Sequence, residues 1–262
     1  MRCRFADWKG WNAIICTQGP YEMVIGISAG PRILYFGYAG GRNFLYEDHT
    51  DFGVGEWRMC GGHRFTVAPE SDRSYEPDNE SCEVEVRESE VQVRARQRDD
   101  GTRLSITVSP SKQGFDILHT LENFGALAWE GALWAITCVP RSDFFYGSCP
   151  TSEVHFWPGT DPSDWQHANG LLTVGPGAFR GKAGWYSVVP SLTVARQQHV
   201  FRITHPDPSV AGNCVDQGSN TEIFVCADYA ELETLGEKMM VAPGQSTSHR
   251  QCWRLLQEQT DY

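Results

Sequence analysis

The stretch from Cys82 to Val108 reads CEVEVRESEVQVRARQRDDGTRLSITV, and apolar residues recur at every second position in three successive runs. Short polar segments separate the runs at Glu88–Glu90 and at Arg98–Gly101. Alternation with a period of two places the apolar side chains on one face of an extended chain. The stretch therefore predicts a three-stranded antiparallel meander with one face toward water.

The same kind of pattern continues through most of the chain. Further strands are predicted at residues 21–28, 32–37, 115–122, 131–139, 171–174, 184–195, 199–204, 221–226, 229–235 and 247–256. The clearest helical signal is one short turn at 163–167, and residues 141–183, rich in Gly, Pro and Asp, are predicted to form long loops over a sheet. Many strands without helical crossovers favour two packed sheets. Because no linker divides the sequence, we expect a single domain over 1–262.

Charge and composition exclude several classes of partner. The 262 residues carry a formal net charge of -11 and no basic run, which disfavours nucleic acid. No apolar stretch approaches the ~20 residues of a membrane span, and the first residues lack the apolar core of a signal peptide. The nine cysteines include no CxxC pair and, like Cys138, lie partly in apolar runs. A reduced compartment, by default the cytoplasm, is predicted.

Two polar clusters could carry chemistry. The first, GGHRFTVAPE at 61–70, offers His63 and Arg64 after paired glycines, and is either a ligand-contacting loop or a tight turn with an internal salt bridge. The second contains Glu231 and Glu233, which share one face of a predicted strand. They are either a carboxylate pair with a shifted pKa or a solvated strand face.

Several familiar motifs are absent from the sequence. It contains no HExxH, Walker or GxGxxG pattern, so no metal and no cofactor is predicted. Asp216 lies in a turn-rich loop, where it could accept a hydrogen bond from the turn or from a sugar hydroxyl.

The order and spacing of several short motifs together resemble the galactose mutarotase-like superfamily. Within it, the chain is most similar to a bacterial branch whose members form a domain-of-unknown-function family. The motifs are GGHR at 61–64, APE at 68–70, PDN at 77–79, LENFG at 121–125, LWAIT at 133–137, GKAG at 181–184, VDQG at 215–218, ELETLG at 231–236, APG at 242–244 and WRL at 253–255.

The resemblance implies an all-β supersandwich of two large, mostly antiparallel sheets, with a sugar site on the concave face of one sheet. It implies Glu233 as the catalytic base, with Glu231 as the fallback. The superfamily's acid histidine belongs where this sequence has Trp134, which can donate but cannot shuttle a proton, so His63 is the candidate acid. The remaining expected sugar contacts are Arg64, Glu70, Asp78, Lys182 and Asp216, with Trp134 and Trp185 as stacking faces.

The leading hypothesis is therefore an aldose-1-epimerase-like enzyme that interconverts the anomers of a small carbohydrate by general acid–base catalysis. A non-catalytic sugar-binding or sensing protein is the alternative that Trp134 favours. A different sugar reaction on the same scaffold, such as lyase or isomerase chemistry, is also open. Arg64 and Lys182 would suit an acidic sugar.

Overall fold

The computed structural model describes residues 1–48, 56–151 and 153–257. Within these ranges the chain forms 21 strands and two short 3-10 turns, at Asp72–Tyr75 and Pro162–Asp164. The strands are β1 (Arg2–Trp8), β2 (Trp11–Gln18), β3 (Tyr21–Gly26), β4 (Arg32–Tyr38), β5 (His63–Ala68), β6 (Glu83–Val86), β7 (Val91–Gln97), β8 (Thr102–Ser111), β9 (Gly114–Asn123), β10 (Trp129–Pro140), β11 (Phe144–Ser148), β12 (His155–Phe156), β13 (Trp165–Ala168), β14 (Leu171–Val174), β15 (Gly181–Trp185), β16 (Ser191–Arg196), β17 (His199–Thr204), β18 (Thr221–Val225), β19 (Tyr229–Leu235), β20 (Met239–Val241) and β21 (Ser246–Gln257).

The strands build two large antiparallel sheets, which confirms the predicted fold class. The first sheet has the order β1-β2-β3-β4-β5-β10-β19-β18-β15-β12, with β20 attached to β10. The second has the order β13-β14-β11-β16-β17-β21-β9-β8-β7-β6. The predicted meander is the β6-β7-β8 edge of this second sheet. None of the helical segments in the described ranges is long and apolar enough to cross a membrane.

The core lies between the two sheets. Phe36 of the first sheet packs against Phe201 and Trp253 of the second, with ring centroids 4.8 and 5.3 Å apart. Each of these three side chains is completely buried. Burial of each such side chain contributes about 1.5–3 kcal/mol, so these aromatic contacts help to hold the two sheets together.

Two local predictions between residues 141 and 195 were wrong, and a third was right only in part. The single strand expected at 184–195 is two strands in different sheets. Between them, the Asn220 side chain accepts a hydrogen bond from the Ser187 N–H and donates one to the Ser187 carbonyl oxygen, each at 2.8 Å. Pro190 has no N–H to pair with a neighbouring strand, so the chain leaves one sheet and enters the other. Residues 141–183 are not long loops, since they contain β11 to β14 and the start of β15. The expected turn at 163–167 is a 3-10 turn that ends at Asp164, after which β13 begins.

The segment expected to be a loop or tight turn at 61–70 contains β5, an internal strand between β4 and β10. The glycines before it serve a close backbone approach. Gly62 has φ +66°, and a Cβ there would lie 2.3 Å from the carbonyl oxygen of Ile33. Only glycine fits this position without displacing the neighbouring strand.

Candidate functional site

One face of the first sheet carries a row of paired residues that crosses four strands and includes three charged side chains. Arg64 of β5 pairs with Ile136 of β10, Ile136 with Glu233 of β19, and Glu233 with Glu222 of β18. Directly paired residues of antiparallel strands point to the same face. The register therefore brings Arg64, Glu222 and Glu233 to one side of the sheet.

A second row of paired residues lies next to the first and completes the site. Glu231 of β19 pairs with Phe224 of β18, and Phe224 pairs with Lys182 of β15. Above these rows lies a cavity of about 470 Å³, called the central cleft below. Its lining residues are Trp57, Met59, Arg64, Glu70, Tyr75, Trp134, Trp157, Pro158, Gly159, Thr160, Arg180, Gly181, Lys182, Phe224, Tyr229, Glu231 and Glu233.

Lys182 links two buried carboxylates beneath the cleft. Its Nζ lies 2.6 Å from Oε2 of Glu222 and 3.0 Å from Oε2 of Glu233, and both glutamates are completely buried. Burial raises the pKa of Glu222 well above its usual value, and Lys182 offsets this only in part. Burial also opposes the charge of Lys182, but Glu233 and Glu222 outweigh it and raise the lysine pKa. Burial thus favours the neutral form of Glu222, and the ammonium of Lys182 lies within ion-pair distance of both carboxyl groups.

Trp134 contacts the same oxygen of Glu233 as Lys182 does. Its Nε1 donates a hydrogen bond to Oε2 of Glu233 at 2.8 Å. The Trp134 ring also lies under two cations, with Lys182 Nζ 4.7 Å and Arg64 Cζ 5.9 Å from the ring centroid. Trp134 therefore positions charged groups, whereas Oε1 of Glu233 has no hydrogen-bond partner in the described part of the chain.

Glu231 lies in a different environment from Glu233, although only two residues separate them on β19. Burial and the nearby Glu233 raise the pKa of Glu231 to about 7, against the opposing effects of Arg64 and Lys182. Cys138 Sγ approaches Oε1 of Glu231 at 3.8 Å. A carboxyl group with this pKa can both give and take a proton near neutrality.

Arg64 lies within a group of aromatic rings. Its Cζ is 5.3 Å from the Trp57 ring centroid and 5.5 Å from that of Tyr75, and its Nη1 donates to the carbonyl oxygen of Ser74 at 3.3 Å. The Tyr75 hydroxyl donates to Glu70 at the cleft wall.

His63 does not line the central cleft, because successive residues of a strand point to opposite faces and Arg64 takes the cleft face. His119 Nδ1 is 2.9 Å from the carbonyl oxygen of His249, which can only accept, so His119 Nε2 is unprotonated. His63 Nε2 therefore donates to it at 2.8 Å, and His63 Nδ1 accepts from Thr137 Oγ1 at 2.9 Å. Burial lowers the pKa of His63 well below its usual value. Both nitrogens of a neutral imidazole are thus used between the sheets.

Three other expected contacts are also absent from the cleft lining. Asp78 pairs with Arg32, whose Nη2 donates at 3.0 Å. Trp185 is buried between the sheets and donates to the carbonyl oxygen of Ser148 at 2.8 Å. Asp216 is buried beside the cleft. Burial raises the pKa of its carboxyl group, Lys182 acts to lower it, and Glu233 acts to raise it. Arg64, Glu70, Trp134, Lys182, Glu231 and Glu233 do line it.

Sequence reasoning missed several side chains of the site. Glu222 could have been recognised from the sequence, since it is an acidic residue within the apolar strand predicted at 221–226. Trp57, Trp157 and Arg180 come from segments outside the regular strands, and their sequences give no sign of convergence. No group of three or more His, Cys, Asp or Glu side chains among the described residues is arranged to hold a metal ion.

Comparison with known proteins supports the fold alone. No family model and no curated protein matches the sequence. Among solved structures, a galactose mutarotase-like protein from Lactobacillus casei is 12% identical and superposes with a TM-score of 0.61, covering 94% of this chain and 100% of the other. A galactose mutarotase-like protein from Clostridium acetobutylicum is 9% identical with a TM-score of 0.61, covering 98% of each chain. The chain has the galactose mutarotase-like fold.

Proposed function

We propose that the chain binds a small carbohydrate in the central cleft and interconverts its anomers by general acid–base catalysis, as an aldose-1-epimerase-like enzyme. The observation that carries the proposal is the placement of Glu231 and Glu233 in one cleft but in different electrostatic surroundings. Oε2 of Glu233 accepts from the Trp134 indole N–H and contacts the Lys182 ammonium. The pKa of Glu231 is raised to about 7. Such a pair divides naturally into a base and an acid.

The proposed reaction uses only these two groups for proton transfer. The Glu233 carboxylate takes the proton of the anomeric hydroxyl, and the Glu231 carboxylic acid gives its proton to the ring oxygen. The bond between the anomeric carbon and the ring oxygen breaks, and the aldehyde forms. Rotation about the next carbon–carbon bond and reclosure by the reverse transfers yield the other anomer. Residues two apart on a strand are roughly 6–7 Å apart, which leaves room for the anomeric carbon and its two oxygens.

The shape and lining of the cleft support a sugar as the ligand. Its volume of about 470 Å³ lies within the ordinary range of small-molecule sites. Trp57, Trp157, Phe224 and Tyr229 offer aromatic surface against which the C–H face of a pyranose can pack. Solved structures of the same fold carry the name galactose mutarotase-like.

Sugar binding without catalysis is the second candidate. It is favoured by one observation: no histidine lines the cleft among the residues that the structure describes, and Trp134 stands where an acid histidine was expected. In this alternative, the charged groups hold sugar hydroxyls and the raised pKa of Glu231 has no catalytic role.

Proton NMR of freshly dissolved aldoses tests the two candidates directly. The wild-type protein should accelerate anomer equilibration, and Glu233→Gln and Glu231→Gln should each slow it by about 100-fold or more. Glu88→Gln, in an exposed bend between β6 and β7, is the matched control. Because Glu231 must be protonated to act as the acid, the rate should fall as the pH rises through about 7. Saturable binding without acceleration for any neutral or acidic aldose would favour the second candidate.

A cytoplasmic location is part of the same proposal. The nine cysteines are all free thiols, which suits a reducing compartment. Neither nucleic acid nor a membrane is an expected partner.

A further inference from the structure

We propose that the preferred ligand of the central cleft is a sugar acid, and that Arg64 binds its carboxylate. The inference rests on the proposed function only in taking the cleft as the sugar site. It concerns which sugar binds, and it holds whether or not the bound sugar is converted.

The first argument is the balance of charge in the cleft. Three cationic side chains line it, and Lys182 is already paired with Glu233 and Glu222. Arg64 and Arg180 form no ion pair with any carboxylate of the described residues. Arg180 is exposed and lies with its Cζ 5.2 Å from the Phe224 ring centroid. Among the described residues, the cleft therefore presents two guanidinium groups with no carboxylate at ion-pair distance, although Glu231 is near enough for Arg64 to lower its pKa.

The second argument is the unused hydrogen-bonding capacity of Arg64. The residue is only 5% exposed, and its one protein acceptor among the described residues is the Ser74 carbonyl, 3.3 Å from Nη1. The aromatic rings beside the guanidinium stabilise its charge but accept none of its in-plane N–H groups. A carboxylate matches the planar fork of an arginine and can accept two hydrogen bonds at once.

The acidic residues of the cleft do not prevent an anion from binding there. Glu233 is paired with Lys182, and Glu70 accepts a hydrogen bond from Tyr75. Glu231 has a pKa of about 7, so it can be neutral when the anion arrives. A bound carboxylate would raise that pKa further, because a second negative charge disfavours the ionised form. Binding of a sugar acid would thus keep Glu231 in the protonated state that the proposed reaction needs.

The spacing of the two ends of the site also suits a sugar acid. Arg64 and Glu233 lie in one row with only Ile136 between them, so their backbones are two strand spacings apart, roughly 10 Å. A separation of this size can accommodate one pyranose ring with its carboxylate toward Arg64 and its anomeric hydroxyl toward Glu233.

Isothermal titration calorimetry with matched sugars tests the inference. Glucuronate and galacturonate should bind at least tenfold more tightly than glucose and galactose. Glucuronamide, which keeps the shape without the charge, should bind like the neutral sugars. Arg64→Gln should abolish the preference for the acids, Arg64→Lys should retain part of it, and Arg202→Gln, an exposed arginine on β17 of the other sheet, should leave it intact.

The outcomes separate the inference from the proposed function. Equal affinities of the wild-type protein for acids, amide and neutral sugars would overturn the inference, even if all anomers equilibrate faster. A preference that persists in folded Arg64→Gln, or tighter binding of glucose 6-phosphate than of glucuronate, would overturn it as well. Arg64-dependent binding of the acids without faster anomer exchange would support the inference and refute the epimerase. If Arg64→Gln fails to fold by circular dichroism, the comparison of acid with amide in the wild-type protein decides the preference for acids, and Arg64→Lys decides the role of Arg64.

Discussion

The buried imidazole of His119 should make the protein lose stability as the pH falls below about 6.5. Burial lowers the pKa of His119 to about 4, whereas an unfolded histidine titrates near 6.5. Between these values the unfolded chain binds a proton that the folded chain does not, so acid favours unfolding. The full shift corresponds to about 3 kcal/mol, of which about 2 kcal/mol is lost by pH 5.

Urea unfolding at pH 7 and pH 5, followed by circular dichroism, measures this effect against a variant. His119→Gln can still donate to the carbonyl of His249 and accept from His63, but it cannot titrate. We expect the variant to be less stable than the wild type at pH 7 and the gap to narrow by about 2 kcal/mol at pH 5. Because wild type and variant share all other titrating groups, the difference between them removes the contributions of those groups. Glu222 and Glu231, whose pKa values are raised, would by themselves stabilise the folded chain as the pH falls.

The control is Gln166→Asn, because the Gln166 side chain is exposed and does not titrate. Its difference from the wild type should be the same at both pH values. A gap between wild type and His119→Gln that is equal at pH 7 and pH 5 would refute the assignment of a neutral, buried histidine chain between the sheets.

Three further substitutions test the packing and the charges of the site. Lys182→Met leaves Glu233 buried without its ammonium partner. Urea unfolding should show a loss of about 3–5 kcal/mol in the free energy of unfolding at pH 7 and a smaller loss at pH 5. A loss below about 1 kcal/mol at pH 7 would contradict the ion pair. Trp134→Phe removes the 2.8 Å hydrogen bond to Glu233, and the same measurement should show a loss of about 1.5–3 kcal/mol, with unchanged stability arguing against that bond. Gly147→Ala would place a Cβ 2.3 Å from Cζ2 of Trp185, so the melting temperature should fall by the equivalent of about 1–3 kcal/mol, and an unaltered melting temperature would contradict this packing.

Local patterns were sufficient to predict the fold class and which of two candidate residues share a strand face. The alternation at 82–108 predicted the meander, and the spacing of Glu231 and Glu233 predicted that they share a strand face. Both predictions rest on the period-two geometry of a strand, which neighbouring residues alone determine. The short motifs added the resemblance that implied this fold, and the solved structures support it. The single-domain prediction and the catalytic roles stay predictions.

The tertiary structure decided which strand face meets the cleft and which partners share it. His63 and Arg64 are neighbours on a strand, so their side chains must point to opposite faces. Only the packing of the two sheets shows that His63 points into the core and that Arg64 points into the cleft. Likewise, Lys182 meets Glu222 and Glu233 only because β15, β18 and β19 pair in one register. Strand pairing joins residues that are far apart in sequence. It does so through backbone hydrogen bonds, which are nearly the same whatever the side chain. A sequence pattern therefore tells which residues share a face, whereas only the assembled sheets determine what that face contacts.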